Sequence, residues 1–374
     1  MIWFMDERFW LPDGIKWSML QPNGTARYPQ PSDLKQTIKS ALFCFSIFEF
    51  LHSVMSLLLY LKALCLSVIQ FRFGVVLLFI RIFMECFVFL PIGKYFGWID
   101  APDGLTRRIV SHMNFGFAGK SKYKRVAETA WRFTYYVFAW TFGLVVLKDQ
   151  PQLRDISESW RNWPYHELTD GIWWYYIIET SFYWSLLFSS LAFDIRRADF
   201  LQLTVHHSIT ILLLSMSYTI NMVRIGALVL FSHDIADVLI ELGKLLRYAR
   251  WDTALKVVYV VFMFVWTLTR LIYFPFWIIW SVWYDAPAMI QKTYDWWSLS
   301  QQPIVPRVIV VMLLCLLVLH VFWTYTIIMV GVKSAESGKL DDIREIDDGS
   351  DSTAEYIKEN GCYGKVEEYR KKQL

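Results

Sequence analysis

Apolar stretches of about 20 residues recur along the chain, and no other feature limits its fold so strictly. That is the length a helix needs to cross a bilayer core. The expected fold is therefore an all-α polytopic membrane protein with about seven transmembrane helices. Composition agrees. Of the 374 residues, 55% are hydrophobic, 18% aromatic and 19% charged, with mean hydropathy +0.33. Soluble domains carry about 25% charged residues, so a soluble domain with a large core is excluded. The net charge of +3 says little about partners; the basic residues inform by position.

Two apolar segments, 41–71 and 73–93, lie upstream of a basic interval, 94–125, that holds Arg107, Arg108, Lys120, Lys122, Lys124 and Arg125. Six candidate spans follow, at 131–147, 172–193, 201–220, 225–246, 255–282 and 304–332. Positive charge concentrates on the cytosolic side of membrane proteins. That rule places 94–125, Arg196-Arg197 and the group Lys244, Arg247, Arg250 and Lys256 in the cytosol. The poorer connections 148–170, 219–224 and 283–303 fall on the other side, and the C-terminus is cytosolic. Trp173, Trp174, Tyr175, Tyr176, Trp280, Trp283 and Tyr284 sit near span ends, as an aromatic belt does. A lumenal N-terminus and a cytosolic 94–125 allow one crossing between them. We assign it to 73–93, with 41–71 lying along or re-entering the membrane. The basic interval reads as an anchor at the membrane edge.

The chemistry concentrates in 196–244. Two apolar runs there carry ionisable groups: His206 and His207 in the first, His233, Asp234 and Asp237 in the second. Such groups at bilayer depth cost roughly 2.5–3.5 kcal/mol each on insertion scales and usually mark a function. One such residue is as often a structural hydrogen-bonding group; five on adjacent helices favour function. At about 100° per residue His206 and His207 do not share a face, whereas Asp234/Asp237 and His233/Asp237 do. The short turn 219–224 makes the two helices antiparallel neighbours, with the clusters at similar height. A carboxylate beside an imidazole sets its tautomer and stabilises its charged form, which suits acid–base or nucleophilic work.

No metal is expected. The seven histidines contain no i,i+3 or i,i+4 pair, and His52, His112, His166 and His320 read as isolated structural or interfacial residues. No phosphate-binding glycine loop and no GxSxG elbow occurs. Cys44, Cys65, Cys86, Cys315 and Cys362 are scattered without a CxxC, indicating neither a disulfide framework nor a zinc site. Residues 1–10 lack the basic flank and apolar core of a cleavable signal peptide.

The HH at 206–207, SYTINMVRIG at 217–226 and HDIADVLIELGK at 233–244 resemble the Lag1 motif of ceramide synthases. The resemblance extends over ETAWRFTYYVFAW (128–140), WPYHELTDGIWWYYIIETSFYWSLL (163–187), FDIRRADF (193–200) and TRLIYFPFWII (269–279), and the opening DERFWLPDGIKW (6–17) is also similar. It implies a TLC domain at 126–332, six helices bundled around a lipid cavity. Around it lie a lumenal 1–37, a membrane region with a basic cytosolic loop at 38–125, and a cytosolic acidic tail at 333–374. The implied reaction is N-acylation of a sphingoid base by a fatty acyl-CoA, giving (dihydro)ceramide and CoA in the endoplasmic reticulum membrane. No cofactor is implied, because acyl-CoA is a substrate. The implied partners are acyl-CoA, a long-chain sphingoid base and membrane lipid, with room for a homo- or hetero-dimer. The homeobox-like domain of many animal members has no space before 126, so no nucleic acid is expected.

On this reading His206 is the catalytic centre, as nucleophile or base, and His207 its proton-transfer partner. Asp234 and Asp237 orient and charge-stabilise the imidazoles, and His233 supports them. The rival reading is a TLC-domain protein that binds, senses or transports lipid. The sequon Asn23-Gly24-Thr25 makes Asn23 a glycosylation site, Ser352 with Glu355 resembles an acidophilic kinase site, and Lys371-Lys372 match a dilysine retrieval signal. In the family, the loop corresponding to 283–303 influences acyl-chain length.

Overall fold

The computed structural model describes residues 7–12, 64–98, 104–113, 122–192, 194, 198–298 and 301–337. Asn23, Ser352, Lys371, Lys372, His52, Arg196, Arg197, the segment 41–63 and the tail from 338 lie outside the described residues.

Every regular element among the described residues is helical, so the chain adopts the all-α polytopic fold that its apolar runs require. A short α1 (Glu7–Trp10) precedes α2 (Leu64–Met84), which passes through a π-helical turn, Glu85–Phe89, into α3 (Leu90–Tyr95). Next come α4 (Leu105–Met113), α5 (Lys122–Leu147), α6 (Asp170–Ala192), α7 (Phe200–Thr219) and α8 (Val223–Tyr248). Then α9 (Asp252–Trp266) runs on through π-helical Thr267–Ile279 and Ser281–Asp285 to α10 (Ala286–Ile290), and α11 (Val305–Ser337) closes the bundle. Four helical stretches, Gln70–Tyr95, Phe200–Thr219, Asp252–Ile290 and Val305–Ala335, are long and apolar enough to cross a membrane. The other long helices, α5, α6 and α8, bury polar residues against them, which lowers their hydropathy but not their length.

Three features differ from the sequence reading. The break expected between 71 and 73 does not exist, because α2 runs straight through Gln70 and Arg72. Both residues suit a helix interior, and Gly74 lets α2 lie directly on α6. A Cβ there would stand 2.8 Å from the Ser181 carbonyl oxygen and 3.1 Å from the Trp184 Cβ.

The span expected to end at 282 continues helically to Ile290. It absorbs Pro275, which lacks an N–H, in a π-helical stretch where the usual i→i−4 ladder is replaced. The described residues that follow, 291–298 and 301–303, gather around Arg307. Its guanidinium donates to the carbonyls of Asp295, Trp296, Ser298 and Gln301 at 2.7–3.1 Å and lies 4.7 Å over the Tyr294 ring. At the same end, Phe9, Trp10 and Leu11 are buried, and the Phe9 carbonyl accepts the Ile304 N–H at 3.0 Å. An apolar pocket of ≈ 510 Å³ there is lined by Trp10, Trp163, Met222, Val282, Tyr294 and Trp296.

At the opposite end, Lys124 and His112 are buried, and His112 is not isolated. Arg81 on α2 pairs with Glu85 (2.6 Å) and Asp194 (2.8 Å), Arg132 on α5 pairs with Asp194 (2.9 Å), and His112 on α4 meets Glu85 at 2.6 Å. Lys124 reaches Glu128 at 3.5 Å. Charges removed from water need partners, so Arg81 and Glu85 draw α4, α5 and the turn after α6 together. Burial disfavours the Asp194 charge, but Arg81 and Arg132 outweigh it and hold the carboxyl well below the usual carboxylate range.

The α7–α8 turn is as short as expected. Asn221 takes φ +57 there, a left-handed conformation that Asn tolerates, and its amide donates to the carbonyls of Pro164 (2.9 Å) and His166 (3.2 Å).

Candidate active site

At the end of the bundle that holds the ionic cluster, a cavity of ≈ 1100 Å³, its open mouth included, lies between α5, α6, α7, α8, the π-helical part of α9, and α11. His206, His207, Tyr183, Asp237, Arg270 and Trp323 are among its lining residues. His206 and His207 both reach it although they lie about 100° apart on α7, because the cavity spans more than one face of the helix. Their ring centroids are 5.7 Å apart, and Tyr183 stands edge-on to both at 6.3 and 6.0 Å. Trp323 of α11 meets His206 edge-on at 5.3 Å. The Nδ1 atoms of both histidines are buried and without a hydrogen-bond partner.

The second cluster divides. Asp237 faces the cavity and accepts a hydrogen bond from Arg270 Nη2 at 2.9 Å. Asp234, 0% exposed, turns instead toward α6, where the Tyr175 hydroxyl donates to its Oδ2 at 3.3 Å and its Oδ1 has no partner. His233 packs against Phe274 and His320, each at a centroid distance of 5.1 Å. Its Nδ1 donates to the Val229 carbonyl at 2.7 Å. The expected carboxylate–imidazole hydrogen bonds are thus not what the structure has: the partner of Asp237 is a guanidinium, that of Asp234 a phenol. The reason is that helical phase places residues on a side but does not choose the neighbour. Here α6 and α9 deliver Tyr175 and Arg270 to the carboxylates before α7 delivers an imidazole.

Arg270 ties this site together. It is 3% exposed and lies inside an apolar helix, where an arginine is costly. One Nη2 donates to both Asp237 Oδ2 and the His233 carbonyl (3.0 Å), Nη1 donates to His320 Nε2 (3.3 Å), and the guanidinium covers the Trp266 ring at 4.9 Å. Glu179 on α6 is 0% exposed, and neither carboxylate oxygen has a hydrogen-bond partner. No group of three or more His, Cys, Asp or Glu side chains among the described residues could hold a metal ion.

Comparison with known proteins now bears on this arrangement. The TLC domain model matches residues 125–329. Ceramide synthase hyl-2 of Caenorhabditis elegans is 38% identical over 348 residues, covering 92% of this chain and 93% of the relative. The chain belongs to the ceramide synthase family. Ceramide synthase hyl-1 of the same organism is 47% identical over 235 residues (62% of this chain, 64% of the relative). Human ceramide synthase 5 is 32% identical over 366 residues (93% and 88%).

Within this member of the ceramide synthase family, the matched region contains all of His206, His207, His233, Asp234 and Asp237. It also contains three polar residues that sequence reasoning passed over: Glu179, Arg270 and His320. His320 is not an isolated structural histidine; it touches Arg270 and His233. Each of the three sits at the middle of an apolar span, away from Lys256 and Arg307 at the span ends, and that was the signal available.

Proposed function

We propose that this multi-pass membrane protein is a ceramide synthase that transfers the acyl group of a fatty acyl-CoA to the amine of a sphingoid base. The observation that carries this reading is the pair His206 and His207, facing one cavity with Asp237 and Arg270, in a member of that family. A long-chain amine is protonated in neutral water and must lose a proton before it attacks. The thioester carbonyl carbon gains a bond to nitrogen as its bond to sulfur breaks, and the thiolate leaves and takes up a proton. The net products are amide, CoA thiol and one released proton. His206 acts on the carbonyl carbon, directly or by activating the amine, and His207 takes the proton. Asp237, held by Arg270, supplies negative charge at the cavity wall, while Asp234 lies on the α6 side against Tyr175. The thioester is already activated, so no resident cofactor is needed. Purified protein should turn over acyl-CoA repeatedly only when sphinganine is added. Sustained release beyond one CoA per protein without sphinganine, or none with it, overturns the reading.

Chain-length preference follows from the 283–303 segment, which Arg307 organises beside an apolar pocket remote from the histidines. Replacing 283–303 with the corresponding segment of a relative of different preference should change the acyl-CoA profile while turnover survives. An unchanged profile places selectivity among the helices.

The protein sits in the endoplasmic reticulum membrane with a lumenal N-terminus and a cytosolic tail, a reading supported by the alternation of Lys and Arg between connections. Asn23 then carries glycan, and Lys371 and Lys372 face the retrieval machinery. An epitope placed after Leu374 should be digested by protease added to sealed microsomes, and protection of that epitope refutes the topology.

A further inference from the structure

Two buried imidazole nitrogens behind the cavity lining, separated from it by Arg270, face no partner, and their neighbours decide what each can bond. His233 Nδ1 lies 2.7 Å from the Val229 carbonyl, which only accepts, so Nδ1 carries the hydrogen. In the neutral ring, Nε2 is then an acceptor, and it has no donor. His320 Nε2 lies 3.3 Å from Arg270 Nη1, which only donates, so this nitrogen is the acceptor and Nδ1 bears the hydrogen. That Nδ1–H has no acceptor. The rings are 5% and 0% exposed, and their centroids are 5.1 Å apart. A vacant acceptor and a vacant donor therefore belong to two neighbouring buried rings, where each left unpaired costs about 1–3 kcal/mol. Phe274 closes one side, at 5.1 Å from each ring. Arg270, which contacts both histidines, also lines the catalytic cavity.

A group that donates and accepts at once satisfies this pair, and a hydroxyl is the smallest that does. An ammonium has no lone pair, and a carboxylate has no hydrogen to give. We propose that His233 and His320 form a hydroxyl-binding subsite that holds the hydroxyl on a carbon adjacent to the amine of the sphingoid base, and so orients that amine toward His206. The proposal rests on the ceramide synthase reading. It gives these two histidines a binding role distinct from the acyl transfer at His206. It also accounts for Arg270 Nη1, which sets the His320 tautomer. A buried water has the same hydrogen-bonding chemistry and is the other source the test must separate.

The test compares kcat/KM for sphinganine with that for analogues lacking each hydroxyl in turn, and for a plain long-chain primary amine. In wild type, removing the bound hydroxyl should lower kcat/KM on the order of 10–100-fold, because the two nitrogens are then left unpaired. His320→Gln keeps an acceptor for Arg270 but loses the Nδ1 donor. It should erase most of that preference, chiefly through KM for the hydroxylated base. His233→Gln keeps an acceptor near the Nε2 position and should retain the preference within a few-fold. If wild type uses all the amines equally well, the pair holds water and the proposal falls. It falls too if His320→Gln slows sphinganine and the plain amine by the same factor. The wild-type comparison needs no variant and decides the matter even if a substitution prevents folding. Ceramide formation from sphinganine by wild type is the separate control on the parent reading.

Discussion

His206→Ala should abolish ceramide formation while protein level, and any glycan at Asn23, stay as in wild type. Loss of one catalytic group typically costs 10²–10⁴-fold or more. His206 is partly exposed to the cavity, and its Nδ1 has no hydrogen-bond partner, so its removal breaks no bond of the fold. The route is separable by intact-protein mass spectrometry after acyl-CoA is added without sphinganine. A nucleophilic His206 leaves one acyl group on the wild-type protein and none on His206→Ala. A purely basic His206 leaves neither, because both substrates must be bound before any bond forms. Near-normal turnover in His206→Ala removes the residue from the mechanism.

The second large effect belongs to Arg270. Arg270→Met strands Asp237 beside the cavity without its guanidinium and frees the His233 carbonyl and His320 Nε2. Breaking a fully buried pair by removing one partner costs about 3–5 kcal/mol; Asp237 is 25% exposed, so the cost here is smaller. The single variant should melt below wild type in detergent and lose acyl transfer. The double variant Arg270→Met/Asp237→Leu removes both charges and should recover most of the melting temperature. It should stay inactive, because the cavity then lacks the carboxylate. If the double variant melts as low as the single one, the ion pair is not what Arg270 contributes to stability. If the double variant is active, Asp237 has no part in the chemistry.

Asp237 illustrates how far the sequence carried. Spacing placed Asp234 and Asp237 on one side of a helix, and both are indeed in α8 near the histidines of α7. Yet one ends against Tyr175 and the other against Arg270. Tyr175 precedes Asp234 by 59 residues and Arg270 follows Asp237 by 33, separations that correspond to no helical period. His320 likewise lies 50 residues from its partner Arg270. His112 looked solitary because its acidic partner, Glu85, meets it only once α4 packs against the π-helical turn after α2, whereas the Lys124–Glu128 pair is an i,i+4 spacing within α5.

What the sequence determined by itself is whatever depends on local composition and period. Apolar runs of bilayer length dictate membrane helices. Lys and Arg bias their orientation, and the HH and HD..D pattern marks where polar chemistry enters lipid. What only the tertiary structure decided is which polar atoms meet. In an apolar interior every buried donor and acceptor must find a partner or remain costly. That pairing is settled by how the helices cross, not by the order of residues along any one of them.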